Sequence, residues 1–95
     1  MVKHIVFFKL EDDSKQNKLF IKEKLLSMRN QIDVLKHIEV GINFTDSPRA
    51  YDLALITEFD SKDDLKVYAT HPVHLPIVAY LKEINTKTKV VDYEY

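Results

Sequence analysis

Hydrophobic and polar residues alternate along four stretches of the chain and recur at helical spacing along the rest. From Val2 to Leu10 one side of an extended chain carries Val2, His4, Val6, Phe8 and Leu10, and the other carries Lys3, Ile5, Phe7 and Lys9. That pattern, rich in β-branched and aromatic residues, predicts a strand. Glu11-Asp12-Asp13-Ser14 is a polar break in which Ser14 suits a helix N-cap. Ile21, Leu25, Met28 and Ile32 then follow at steps of four, three and four, one stripe of a helix running to about Arg29 or Ile32. Leu19 and Leu26 widen the stripe, while Lys18, Lys22, Glu23 and Lys24 make a solvated side.

Alternation returns from Leu35 to Phe44, with Ile38, Val40, Ile42 and Phe44 on one face. Gly41, the single glycine, suggests a bulge or a close backbone approach in this second strand. Residues 45–49 form a loop, and Tyr51–Phe59 reads as a third strand with Leu53, Leu55, Thr57 and Phe59 on one side. Ser61-Lys62-Asp63-Asp64 resembles a capping box and opens a helix through Leu65, Tyr68 and Ala69. Pro72 breaks it, Pro76 fits the first turn of a new helix, and Val73, Ile77, Tyr80 or Leu81, and Ile84 continue the stripe. Lys87–Tyr95 is a last strand whose mixed polarity suits a sheet edge.

The predicted order is β-α-β-β-α-β with the second helix broken, the ferredoxin-like α+β arrangement of two helices on one face of a four-stranded antiparallel sheet. The helices cover one sheet face. Ile5, Phe7, Ala54 and Ile56 leave an apolar centre on the other, so the expected assembly is a homodimer, sheet against sheet, closing a dimeric α+β barrel. Ninety-five residues suffice for a single domain, 1–95, with one core. With 14 Lys and Arg against 15 Asp and Glu, the net charge of −1 argues against a nucleic-acid partner. The chain has no cysteine, which excludes disulfides, thiolate metal sites and a cysteine nucleophile. Its longest apolar run near the N-terminus, Ile5–Phe8, is too short for a signal peptide or a membrane span, so a cytoplasmic location and no membrane partner are expected.

Four segments carry a family likeness: Val2-Lys3-His4-Ile5-Val6, the run from Ser47 to Leu55, His71-Pro72-Val73-His74, and Val90-Val91-Asp92-Tyr93. In order and spacing they resemble the stress-responsive A/B barrel (Dabb) family, over nearly the whole chain. The resemblance implies a dimeric α+β barrel. It also implies, from the family's enzymatic members, catalytic roles at His4, Tyr68 and His74, with His74 as base and Tyr68 as donor to a carbonyl. A further histidine of the family's polyketide cyclase falls on or near Leu53 here, a departure that counts against the same cyclase substrate.

Read from the residues alone, each of these positions has a plainer role. His4, between Val2 and Val6, is either a core histidine held by one hydrogen bond or a group lining a pocket. Tyr68 is either an amphipathic core residue or an oxyanion-type donor. His71 and His74 have an i, i+3 spacing that can hold a metal, but no third ligand is spaced to help, so no metal and no cofactor are expected. His71 instead suits a helix C-terminus as a cation, and His74 an acid–base group. Val6, Phe8, Ile21, Leu25, Leu53 and Leu55 are the candidate lining for a small hydrophobic ligand. Asp12-Asp13 and Asp63-Asp64 sit where helix caps need acids, and Arg49 is assigned to a loop or a dimer contact.

Two functions stand from this. The first is a homodimeric stress-response protein that binds a small hydrophobic ligand without catalysis. The second is a cofactor-free lyase, cyclase or isomerase acting on a hydrophobic, polyketide-like carbonyl compound. Haem degradation and cofactor-free oxygenation rank last, because haem-degrading relatives of the fold rely on a Trp and this chain has none.

Overall fold

The computed structural model describes all of residues 1–95. Seven elements follow in the order β1 (Val2–Lys9), α1 (Lys15–Leu26), β2 (His37–Ile42), β3 (Leu53–Phe59), α2 (Lys62–Ala69), α3 (Leu75–Glu83) and β4 (Lys87–Glu94). The four strands make one sheet in the order β2-β3-β1-β4, every neighbour antiparallel. This is the ferredoxin-like βαββαβ fold, its second helical segment split in two.

Register explains how the core divides. Val2, Val6 and Phe8 of β1 lie beside Phe59, Leu55 and Leu53 of β3. They share one buried cluster with Ile21 and Leu25 of α1, Tyr68 of α2, and Ile77 and Leu81 of α3. On the opposite sheet face, Val91, Ile5, Ile56 and Glu39 line up across the sheet, and Lys89, Phe7, Ala54 and Gly41 form the adjacent row. No helix covers these rows, and Phe7 and Val91 are 44% and 58% exposed.

Helix α1 ends earlier than its stripe suggests. Ser14 caps it by accepting from the Asn17 N–H, and regular helix stops at Leu26. Beyond, Met28, Arg29 and Gln31 donate to carbonyls only three residues back, a tightened turn, and Asn30 takes the left-handed conformation at φ 65°. The Ser27 hydroxyl donates to the Lys24 carbonyl, competing for the helix's own acceptor. Met28 and Ile32 still reach the core from this turn, so the apolar stripe outlasts the helix. Leu19 does not join it and faces solvent.

Strand β2 is likewise shorter than its alternation. The Asn43 side chain donates to the Thr45 carbonyl and accepts from the Thr45 N–H, closing a side-chain turn that leads the chain away from the sheet. Phe44 is therefore 98% exposed rather than on the core face. Gly41 marks neither a bulge nor a close approach. It pairs regularly with Ala54, and a Cβ placed on it meets nothing within 4 Å. Between β2 and β3, Asp52 is buried and its carboxylate accepts the Leu10 N–H at 2.7 Å, tying the loop to the end of β1.

Candidate functional site

Helices α2 and α3 meet over the end of β1 that carries His4. Ser61 caps α2 by accepting the Asp64 N–H, with Asp63 and Asp64 in its first turn, as capping predicts. The helix then delivers Tyr68 to the sheet, where it is 1% exposed and packs on Phe59 with ring centroids 5.0 Å apart. The chain turns at Thr70–Pro72, and His74 becomes the residue that opens α3.

Tyr68 thus sits between two imidazoles. Its ring centroid lies 4.3 Å from that of His74 and 6.1 Å from that of His4. All three residues line one cavity of about 290 Å³ under α3. Of the six expected lining residues, Val6, Phe8, Leu25 and Leu55 border this cavity. Ile21 and Leu53 do not: both are closed inside the core and serve packing. The rest of the wall comes largely from Met28, Ile77, Val78, Leu81 and Val90. Ile77 and Leu81 of α3 were legible as part of a stripe and Val78 was not, and nothing in the spacing marks a stripe as facing a cavity.

The two site histidines are oriented by different partners. His4 Nδ1 bonds the Asp92 carboxylate, which leaves Nε2 as its free nitrogen. Asp92 escaped sequence reasoning as a functional position. It lies in the Val90–Tyr93 segment of the family likeness and shares the parity of Val90 on β4, and these signals become meaningful once the register sets it opposite His4. His74 donates from Nδ1 to the Ala69 carbonyl at 3.0 Å, so its Nε2 lone pair is the one left to accept a proton. Burial holds the His74 imidazole below its ordinary value, the Ala69 carbonyl opposes this, and charge on His4 or His71 adds to the lowering. A positive ring at the start of α3 would also meet the wrong end of the helix dipole. His74 is a neutral base at neutral pH.

His71 takes a different role from the expected C-terminal cation. Its Nδ1 accepts the Val73 N–H at 3.0 Å, which requires that nitrogen to be unprotonated. It holds the turn between α2 and α3. Arg49 lies exposed in the loop before β3.

The Tyr68 hydroxyl is buried without a hydrogen-bond partner. Burial pushes its phenol well above the ordinary range, so it is a donor and not a phenolate. An unsatisfied buried hydroxyl costs ~1–3 kcal/mol. Tyr68→Phe is therefore expected to leave stability unchanged or raise it by about 1 kcal/mol, since the ring contacts stay. Urea unfolding checks this, and a clear loss of stability would mean that the hydroxyl has a partner in the folded protein.

A family model described as the Stress responsive A/B Barrel Domain matches residues 2–95. The chain belongs to this family. Among the similar sequences is an uncharacterised protein of Streptomyces coelicolor, 36% identical over 98 residues that span the whole of both chains. A solved structure from Bacteroides fragilis, described as a dimeric protein of unknown function with a ferredoxin-like fold, is 42% identical. It has a TM-score of 0.79, with 99% of this chain and 95% of that one covered. The hydroxynitrile lyase of Passiflora edulis shares the fold at a TM-score of 0.81 and 21% identity, covering 97% of this chain and 90% of the lyase.

Proposed function

We propose that this A/B barrel domain acts as a homodimer that takes a small, largely apolar carbonyl compound into the cavity and removes a proton beside the carbonyl without a cofactor. The supporting observation is the single cavity bordered by both His74 and Tyr68. His74 Nε2 takes the α-proton, Tyr68 donates to the oxygen that becomes an enolate, and His4, oriented by Asp92, supports the polar end. The chemistry is that of a lyase, cyclase or isomerase. The Passiflora lyase, at its low identity, supports the fold and not the reaction. The homodimer is supported by the uncovered apolar rows of the sheet and by the dimeric description of the Bacteroides protein.

A binding role without catalysis is favoured by one observation. Tyr68 is among the most buried side chains and packs on Phe59 as a core residue does. The two readings separate in D₂O. Medium-chain ketones are screened by thermal shift, since a ligand that binds only the folded state raises its stability. Each hit is then incubated with the protein and followed by NMR for deuterium uptake at the carbon next to the carbonyl. Uptake faster than in buffer supports catalysis. Binding with no enhanced uptake leaves the binding role, and no binding by any ketone would remove both.

A further inference from the structure

The far end of the cavity is chemically unlike its apolar walls. Lys82, Thr86 and Thr88 all border it. Thr86 Oγ1 is buried with no hydrogen-bond partner, the only such side-chain atom besides the Tyr68 hydroxyl. Two residues bordering the cavity, Tyr68 and Thr86, thus carry hydroxyls that the protein leaves unsatisfied, and a buried hydroxyl without a partner is a standing cost that a bound polar group removes once a small side-chain movement lets it reach the hydroxyl. None of the chain's 15 Asp and Glu residues borders the cavity, whereas Lys82 does and has no ion-pair partner. Charge and hydrogen bonding at this end both favour an anionic acceptor.

The negative end of α3 does not cancel that preference. The Tyr80, Leu81 and Lys82 carbonyls are taken by the N–H groups of Ile84, Thr86 and Asn85, in a turn that Asn85 closes at φ 59°. Lys82 itself stands in the last turn of the helix.

The two polar ends lie at a definite spacing. Along β1, His4 sits opposite Asp92 and Phe8 opposite Thr88, four residues apart, or ~13 Å of strand. Along α3, Lys82 follows His74 by eight residues, or ~12 Å of helix. Allowing ~3 Å for a hydrogen bond at each end leaves ~7 Å between the ligand's own polar groups.

We infer that the cavity recognises a short keto acid: the carbonyl lies at Tyr68 and His74, and a terminal carboxylate accepts from Thr86, Thr88 and Lys82 across an apolar chain. This deepens the proposed function and rests on it. The test compares 7-oxooctanoate with 2-octanone, which share a chain of eight carbons and a methyl ketone and differ in the carboxylate. Calorimetric titration is expected to show the keto acid bound at least ~10-fold more tightly, as charge-assisted hydrogen bonds allow. Thr86→Val and Lys82→Gln should each cut that preference severalfold and leave 2-octanone binding unchanged. Thr86→Val should also leave the folded protein as stable as before or more so. Equal affinity for both probes, or a preference that survives in both variants, overturns the keto acid inference and leaves the carbonyl site standing. If neither probe binds, the site reading fails and takes this inference with it.

Discussion

His74→Gln is expected to slow deuterium uptake at the α-carbon of a bound ketone by ~10²–10⁴-fold, the usual contribution of a positioned acid–base group. Gln keeps a polar side chain of similar length but has no nitrogen lone pair for the α-proton. The fold should survive, because His74 is half-buried at the start of α3 and makes no side-chain cap bond there. The pH profile gives a second readout. His74 has its value lowered from 6.5, so the base form persists below that pH and the rate should be flat from neutrality down to it. The rate should fall only at more acid pH. Stability follows the same sign. Between the lowered folded value and 6.5 the unfolded chain binds more protons, so stability declines as pH falls below about 6.5 and levels off below the folded value. In His74→Gln this part of the decline should vanish. Uptake unchanged in the variant would remove His74 from the mechanism.

Ile56→Lys is expected to convert a dimer into a monomer. Ile56 lies beside Ile5 in the row that runs from Val91 to Glu39, on the face no helix covers. Interfaces of obligate homodimers often bury ~2,000 Å² or more around an apolar centre, and an unpaired ammonium there costs several kcal/mol. In a monomer the same lysine reaches solvent, so the variant should stay folded. Gly41 and Ala54 add to the expectation. They leave a shallow stretch of sheet beside Phe7, with room over Gly41 that the chain itself does not fill. Sedimentation at micromolar concentration decides the matter: a monomeric wild-type protein, or an Ile56→Lys dimer of unchanged strength, would overturn the assembly.

The cavity sets function against stability in a way that can be measured. Tyr68 and Thr86 each hold a hydroxyl that the folded protein leaves unsatisfied. Their apolar isosteres should be no less stable and should bind polar ligands less well. A core selected only for stability has no use for two such groups at opposite ends of one cavity.

Periodicity alone disclosed the element types and their order, because a period of two and a period near 3.6 bury different sets of side chains. It placed His4 among Val2, Val6 and Phe8, drew the stripe from Ile21 to Ile32, and located the caps at Ser14 and Ser61. These features depend on neighbours within a turn or a strand, so local sequence carries them. Whatever depends on distance across the molecule had to wait for the folded chain. Antiparallel register set Asp92 opposite His4, though 88 residues separate them. The turn at Pro72 brought His74 against the Tyr68 ring. Packing closed Ile21 and Leu53 into the core but left Leu25 and Leu55 on a cavity wall, although all four lie on equally apolar faces. Phe44 continued an alternation yet left the sheet, because the Asn43 side chain closes a turn onto the Thr45 backbone that leads the chain away. A sequence pattern records which way a side chain points. Whether it then meets a neighbour, a cavity or water is decided by segments far away in the chain, whose placement is a property of the whole fold.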